Sequence, residues 1–260
     1  MNKETFKAKF LEFIKELELY AVDKKKEWKI KGFIDIEKTI FTISTDTKIV
    51  SKIIEIHIFP KIAEFAHKNG FILTLPDSQN YYPDLSFEFE KDRSIKYAVD
   101  IKTTFTRDGT KNYCGFTLGS HGAYFKDRDS KKNIQYPYKE YKGHFVLGVV
   151  YKQLSDVDET KTYNISDLDK IESVINNLKF FFIEKWKIAS DGQGSGNTAN
   201  IGGLLKQESD MINGNGIFES EDEFDDYWMN YNVITIKDKD GSDKTIRKLS
   251  DFREYKGKKK

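Results

Sequence analysis

Tyr82-Pro83-Asp84-Leu85-Ser86-Phe87-Glu88-Phe89, then Glu90-Lys91-Asp92-Arg93-Ser94, then Ile95-Lys96-Tyr97-Ala98-Val99-Asp100-Ile101-Lys102, sets the architecture of this chain. Apolar side chains alternate at Leu85, Phe87 and Phe89 and again at Ile95, Tyr97, Val99 and Ile101, the period of two of half-buried β-strands. The segment between them is short and polar, so an antiparallel hairpin is the economical connection. Folded about Asp92, the hairpin sets Asp84 opposite Asp100. Side chains alternate faces, so Asp84, Asp100 and Lys102 share the face away from Leu85 and Val99. Two carboxylates held that close cannot both ionise cheaply without a cation between them, and a hard divalent ion with oxygen ligands, Mg²⁺ above all, removes the repulsion. Asp-x-Lys by itself carries little weight. Asp46-Thr47-Lys48 and Asp129-Ser130-Lys131 repeat it in the same chain and read as solvated charges. Register and shared face are what single out Asp100-Ile101-Lys102.

Outward from the hairpin, helices interleave with further strands. Phe6, Phe10, Phe13, Ile14 and Leu17 recur at helical spacing and form an apolar stripe that the core or a second subunit would bury. Residues 28–44 are rich in β-formers and read as one or two short strands. Thr45-Asp46-Thr47 supplies capping oxygens for a helix over residues 48–68, closed by Asn69-Gly70 and expected to kink or break at Pro60. In it Glu55 lies among Ile53, Ile54, Ile56 and Ile58, where an acid must reach solvent, a cation or a metal. Strands are expected over 144–151 and 180–189. Glu219-Ser220-Glu221-Asp222-Glu223 reads as a helix start with a capping box rather than a metal cluster. Beyond Tyr231 the chain is polar and ends in a lysine-rich tail, read as frayed. This order of elements makes an α/β or α+β domain with a mixed sheet flanked by helices.

Composition sets outer limits. The 260 residues carry a net charge of only +1, so bulk charge does not announce a nucleic-acid partner and any such contact must be local. A single cysteine, Cys114, excludes an internal disulfide framework and a cysteine-based zinc site, and the four histidines lack paired ligand spacing. No apolar run reaches the ~18 residues of a membrane span, and the first residues lead into an amphipathic helix rather than a signal core. The expectation is a soluble, cytoplasmic protein. Gly192-Gln193-Gly194-Ser195-Gly196-Asn197-Thr198-Ala199-Asn200 has no large apolar residue and must be an exposed loop. It is either a flexible linker or a reader of base edges, for which Asn197, Thr198 and Asn200 supply amides and a hydroxyl. Its glycine spacing misses the nucleotide-binding fingerprints.

The acid pair, Asp100-Ile101-Lys102, the Gly-Ser-Gly-Asn-Thr loop and ordered segments from Asp46 to Tyr231 together resemble the type II restriction endonucleases of the PD-(D/E)xK nuclease superfamily. The resemblance implies one restriction-endonuclease-like domain over residues 1–260, with 1–45 contributing a dimerisation subdomain. It implies a homodimer that grips palindromic double-stranded DNA and cuts both strands with Mg²⁺, at GATATC with a blunt central cut and 5′-phosphate ends. Asp84 and Asp100 would hold the metal, with Glu55 as a further acid of the metal site, and Lys102 would orient the attacking water. Gly194, Gly196, Asn197, Thr198 and Asn200 would read the major groove, and Gln79 with Asn80 would lie at the minor groove. Thr47, Lys48 and Thr104 would contact phosphates. Ala199 stands where the family's loop has threonine, and Asp77 where a relative has a basic residue. A companion DNA methyltransferase acting on the same site is implied for self-protection. The alternatives are a repair or junction nuclease of the same superfamily without a fixed site, and a DNA-binding module that has lost catalysis. The intact Asp84, Asp100 and Lys102 speak against the latter.

Overall fold

The hairpin forms in the register that turns about Asp92: Leu85 pairs with Val99, Ser86 with Ala98 and Phe87 with Tyr97. The computed structural model describes residues 1–107, 109–155, 157–194, 199–203, 207–237 and 240–257. Their helices are α1 (Lys3–Ala21), α2 (Thr47–Lys68), α3 (Ala123–Lys126), α4 (Glu208–Asn213), α5 (Glu221–Asn230) and α6 (Leu249–Gly257). The first strands are β1 (Gly32–Ile34), β2 (Ile40–Thr42), β3 (Phe71–Thr74), β4 (Leu85–Phe89), β5 (Lys96–Thr106) and β6 (Thr117–Ser120). They continue as β7 (Tyr141–Gln153), β8 (Thr162–Tyr163), β9 (Ile175–Glu184), β10 (Ala189–Gln193), β11 (Asn200–Gly203), β12 (Thr235–Lys237) and β13 (Asp243–Thr245). The central sheet has the order β3-β4-β5-β7-β9; its β5–β7 pair is parallel and its other pairs are antiparallel. This is the mixed sheet flanked by helices that the sequence implies.

Side-chain parity divides the sheet into two cores. Leu85, Phe87, Tyr97, Val99 and Ile101 face α1 and α2, together with Phe145, Leu147 and Phe182. The stripe of α1 is spent on this face: Phe10 stacks on Phe182 at 4.0 Å and Phe6 on Tyr97 at 4.2 Å between ring centroids. Ala98, Val146, Val150, Phe181 and Ile183 face a second layer built from residues 113–141, α5 and α6. The strands are therefore buried on both faces rather than half-buried as the alternation implies, because aromatic residues of the second layer roof the polar side. Asp100, on that side, is only 4% exposed.

Several expectations are corrected. Helix α2 runs through Pro60 without a break. Pro60 lies on the exposed side with Ile56, so the carbonyl that loses its N–H partner can turn to water, while Ile54, Ile58 and Ile62 hold the buried side. The strand expected over 180–189 is two strands, β9 and β10, separated by a 3₁₀ turn at Lys185–Ile188. The polar region after Tyr231, in which the sequence pattern marks no elements, is structured as far as Gly257. It forms the β12–β13 hairpin and α6, which bury Ile246, Leu249 and Phe252 in the second core. Residues 258–260 lie outside the described residues. Asp46 caps α2 by accepting from the N–H of Lys48 and Ile49, and Asn69 closes it ahead of Gly70 in the left-handed region, as the capping sequence implies.

Candidate active site

Asp84 and Asp100 meet over one ammonium. Lys102 Nζ lies 3.4 Å from Asp84 Oδ2 and 3.1 Å from Asp100 Oδ2. The acid pair is also tied through the backbone: the N–H of Ile101 donates to Asp84 Oδ2 at 2.8 Å, and the N–H of Asp84 donates to Asp100 Oδ1 at 3.3 Å. These two crossed bonds follow from the hairpin register, because the residue just before β4 falls beside the middle of β5. Burial, assisted by the charge on Asp100, raises the Asp84 carboxyl above the ordinary aspartate value even against the pull of Lys102. Burial alone would lower the Lys102 ammonium; the charges of Asp100 and Asp84 overturn that and hold it above the ordinary lysine value. Lys102 is thus a fixed cation here, suited to orienting a water or steadying phosphate charge rather than to accepting a proton.

The donor set suits a hard divalent cation. It consists of carboxylate oxygens, and a strained acid pair is what a cation relieves. Among the described residues, no group of three His, Cys, Asp or Glu comes together. Glu55 instead accepts from Lys52 Nζ at 2.7 Å. It still raises Asp84 through its charge, so it is a neighbour of the pair rather than a third member of the cluster.

The acid turn is held from behind. The Tyr82 hydroxyl and His144 Nδ1 share a hydrogen bond of 2.8 Å, between a phenol that burial keeps protonated and an imidazole that burial keeps neutral. The His144 ring stacks on Tyr138 at 3.8 Å. Beside Lys102 in the sheet, Gly148 has no room for a side chain: a Cβ there would lie 2.0 Å from the Phe181 ring. Lys185 lies under Tyr82 with its Nζ 4.7 Å from the ring centroid. The sequence reading overlooked Tyr82, His144 and Lys185. The signal for Lys185 was a charge beside Phe180-Phe181-Phe182-Ile183, one of the most apolar runs in the chain.

The residues expected at DNA fall into three groups. Gln79 and Asn80 are exposed on the turn that leads into Tyr82. Lys48 is exposed and Thr47 half-buried at the start of α2, which meets β5 through a hydroxyl contact between Ser51 and Thr103. Thr104 is 2% exposed, its hydroxyl donates to the Cys114 carbonyl, and it lies on the roofed side of β5. Gly194 and Asn200 form the neck of the β10–β11 hairpin, where the Gly194 N–H donates to the Asn200 carbonyl at 2.8 Å. The glycine is required there, because a Cβ would lie 2.6 Å from the Thr117 side chain. Gly196, Asn197 and Thr198 lie outside the described residues. The hairpin pairs with β6, and Gly119 of β6 lies against Tyr82, so the loop and the acid turn share a support.

A mixed sheet presenting two acids and a lysine at one end of a central hairpin is the grouping expected of a metal-assisted phosphodiesterase. The family model described as "Restriction endonuclease EcoRV" matches residues 24–257. The type II restriction enzyme EcoRV of Escherichia coli is 40% identical over 210 residues, covering 80% of this chain and 84% of that protein. The chain belongs to the EcoRV restriction endonuclease family: it is a type II restriction endonuclease, a hydrolase acting on DNA. The match reaches past the Asp46-to-Tyr231 span of the resemblance at both ends. Among the described residues, no helix is long and apolar enough to cross a membrane.

Proposed function

We propose that the protein is a homodimer that cuts both strands of the palindrome GATATC at its centre, with Mg²⁺ held by Asp84 and Asp100. The observation that carries this reading is the convergence of both acids on Lys102, within 3.4 Å, at the end of a hairpin flanked by exposed polar turns. The chemistry a bound Mg²⁺ supplies is Lewis acidity toward the phosphoryl and leaving oxygens. Asp84 and Asp100 would hold it, and Glu55 would join only by leaving Lys52. Lys102 orients the attacking water and stabilises charge on the phosphate. The water oxygen bonds to phosphorus, the bond from phosphorus to O3′ breaks, and O3′ takes up a proton. The products carry a 5′ phosphate and a 3′ hydroxyl.

Gly194, Gly196, Asn197, Thr198 and Asn200 would read base edges in the major groove, with Gln79 and Asn80 toward the minor groove. Thr47 and Lys48 would contribute phosphate contacts, which set affinity and its salt dependence. A nuclease of this kind, working in the cytoplasm, requires a methyltransferase that marks the same site. A plasmid carrying one GATATC, incubated with protein and Mg²⁺, is expected to become linear with blunt, 5′-phosphorylated ends. A plasmid left intact, or cut elsewhere, removes GATATC as the target, and staggered ends remove the central cut.

A further inference from the structure

Lys185 follows β9 and opens the 3₁₀ turn Lys185–Ile188, yet its side chain turns inward and the residue is 1% exposed. Its Nζ has no hydrogen-bond acceptor among the described residues. It rests over the ring of Tyr82 at 4.7 Å and that of Phe125 at 5.9 Å. Gly119, at φ +82°, packs against both the amine and Tyr82: a Cβ there would stand at ordinary contact distance, 3.6 Å from Nζ and 3.7 Å from the Tyr82 ring. Burial pulls the amine down to about 8, against which the Asp100 carboxylate is the leading attraction. An unpaired buried ammonium costs stability, and two ring faces only partly offset that cost. Such a group has no structural advantage over an apolar side chain of the same shape. It is, however, in contact with the residue that leads into Pro83-Asp84, and its charge acts on Asp100.

We propose that Lys185 is a positioning residue of the cleavage site, pressing Tyr82 onto its His144 anchor so that Asp84 stays opposite Asp100, and placing a positive charge behind the acid pair. The inference rests on the assignment of Asp84, Asp100 and Lys102 to cleavage. It does not make Lys185 a catalytic residue, since Nζ is enclosed by protein.

The test compares full-length wild type with Lys185→Met and Lys185→Gln, using a plasmid carrying one GATATC and Mg²⁺, with thermal melting of the DNA-free proteins alongside. The expected result is a fall in kcat of tenfold or more with KM within twofold of wild type, while the melting temperature of Lys185→Met is unchanged or higher. A residue that merely supported the fold would lower melting temperature and activity together, and that outcome overturns the proposal. So does a kcat within twofold of wild type, and so does failure of both variants to fold. A wild-type protein that leaves the plasmid intact fails the cleavage reading instead, and the melting comparison still reports whether the buried charge is a cost to the fold.

Discussion

Asp100 accepts the Asp84 N–H and the Lys102 ammonium, and it contributes almost no apolar volume to either core. Asp100→Asn keeps its shape and removes the charge that a cation and Lys102 both use. Cleavage is expected to fall by at least a hundredfold with the melting temperature within a few degrees of wild type, as read by plasmid linearisation and calorimetry. Cutting at more than a tenth of the wild-type rate would remove Asp100 from the metal set. This pair was legible from sequence because it depends only on arithmetic: a period of two and a turn centred on Asp92 place residue 84 opposite residue 100. Glu55 was less legible. Its apolar neighbourhood called for a partner, but helical periodicity could not say that Lys52, one turn away, would be that partner. The burial of Thr104 was not legible for a related reason, since alternation tells which face a residue takes and not whether that face is covered.

Between elements, the firmest polar tie is at Glu184, where β9 ends beneath α1. Its carboxylate accepts from Lys3 Nζ at 2.9 Å, Lys7 Nζ at 3.1 Å and Trp186 Nε1 at 3.1 Å. Burial alone would raise this acid, but those three donors outweigh it and hold it down at about 2. A depressed carboxylate stabilises the fold above its unfolded value of about 4.3, and that contribution is lost as pH falls toward 2. Glu184→Gln is therefore expected to cost roughly 2 kcal/mol at pH 7, or about 4 to 8 °C in melting temperature for a chain of this size. The deficit should shrink as pH falls from about 4.3 toward about 2, the window bounded by those two values. Melting curves across that range check it; a deficit of constant size would show that shape and not charge is at work. Elements with strong local signals were readable in advance, as α1 and the capped α2 show. The β12–β13 hairpin and α6 were not, because Ile246, Leu249 and Phe252 are isolated apolar residues in polar sequence and acquire meaning only against the second core. Pro60 does not break α2 for the converse reason, since packing of Ile54, Ile58 and Ile62 outweighs one lost hydrogen bond.

One chain holds one acid pair, whereas linearising a plasmid requires a cut in each strand. Two copies related by a twofold axis place two such sites on a palindrome, and the contact between them must be isologous. The stripe of α1 cannot supply it, because Phe6, Phe10 and Leu17 are fully buried in their own core. Within residues 1–45, exposed apolar side chains lie at Leu11 and Leu19 on α1 and, grouped together, at Phe33, Ile34, Ile36 and Phe41 on and beside the small β1-β2-β8 sheet, and Ile165 and Leu168 extend that group just beyond β8. Ile36 is 98% exposed, and Phe33, Ile34, Ile165 and Leu168 line one shallow cavity, a grouping that an isolated chain has no use for. Under the proposed homodimeric reading, a second copy is the occupant of this surface. Phe33→Asp combined with Ile34→Asp sets four charges against one another across a twofold contact while leaving both cores untouched. Light scattering is expected to give a dimer mass for wild type and a monomer mass for the double variant, which should nick the plasmid slowly or not at all rather than linearise it. A monomeric wild type that still linearises DNA, or a double variant that stays dimeric and cuts at the wild-type rate, would place the subunit contact on another face of the molecule.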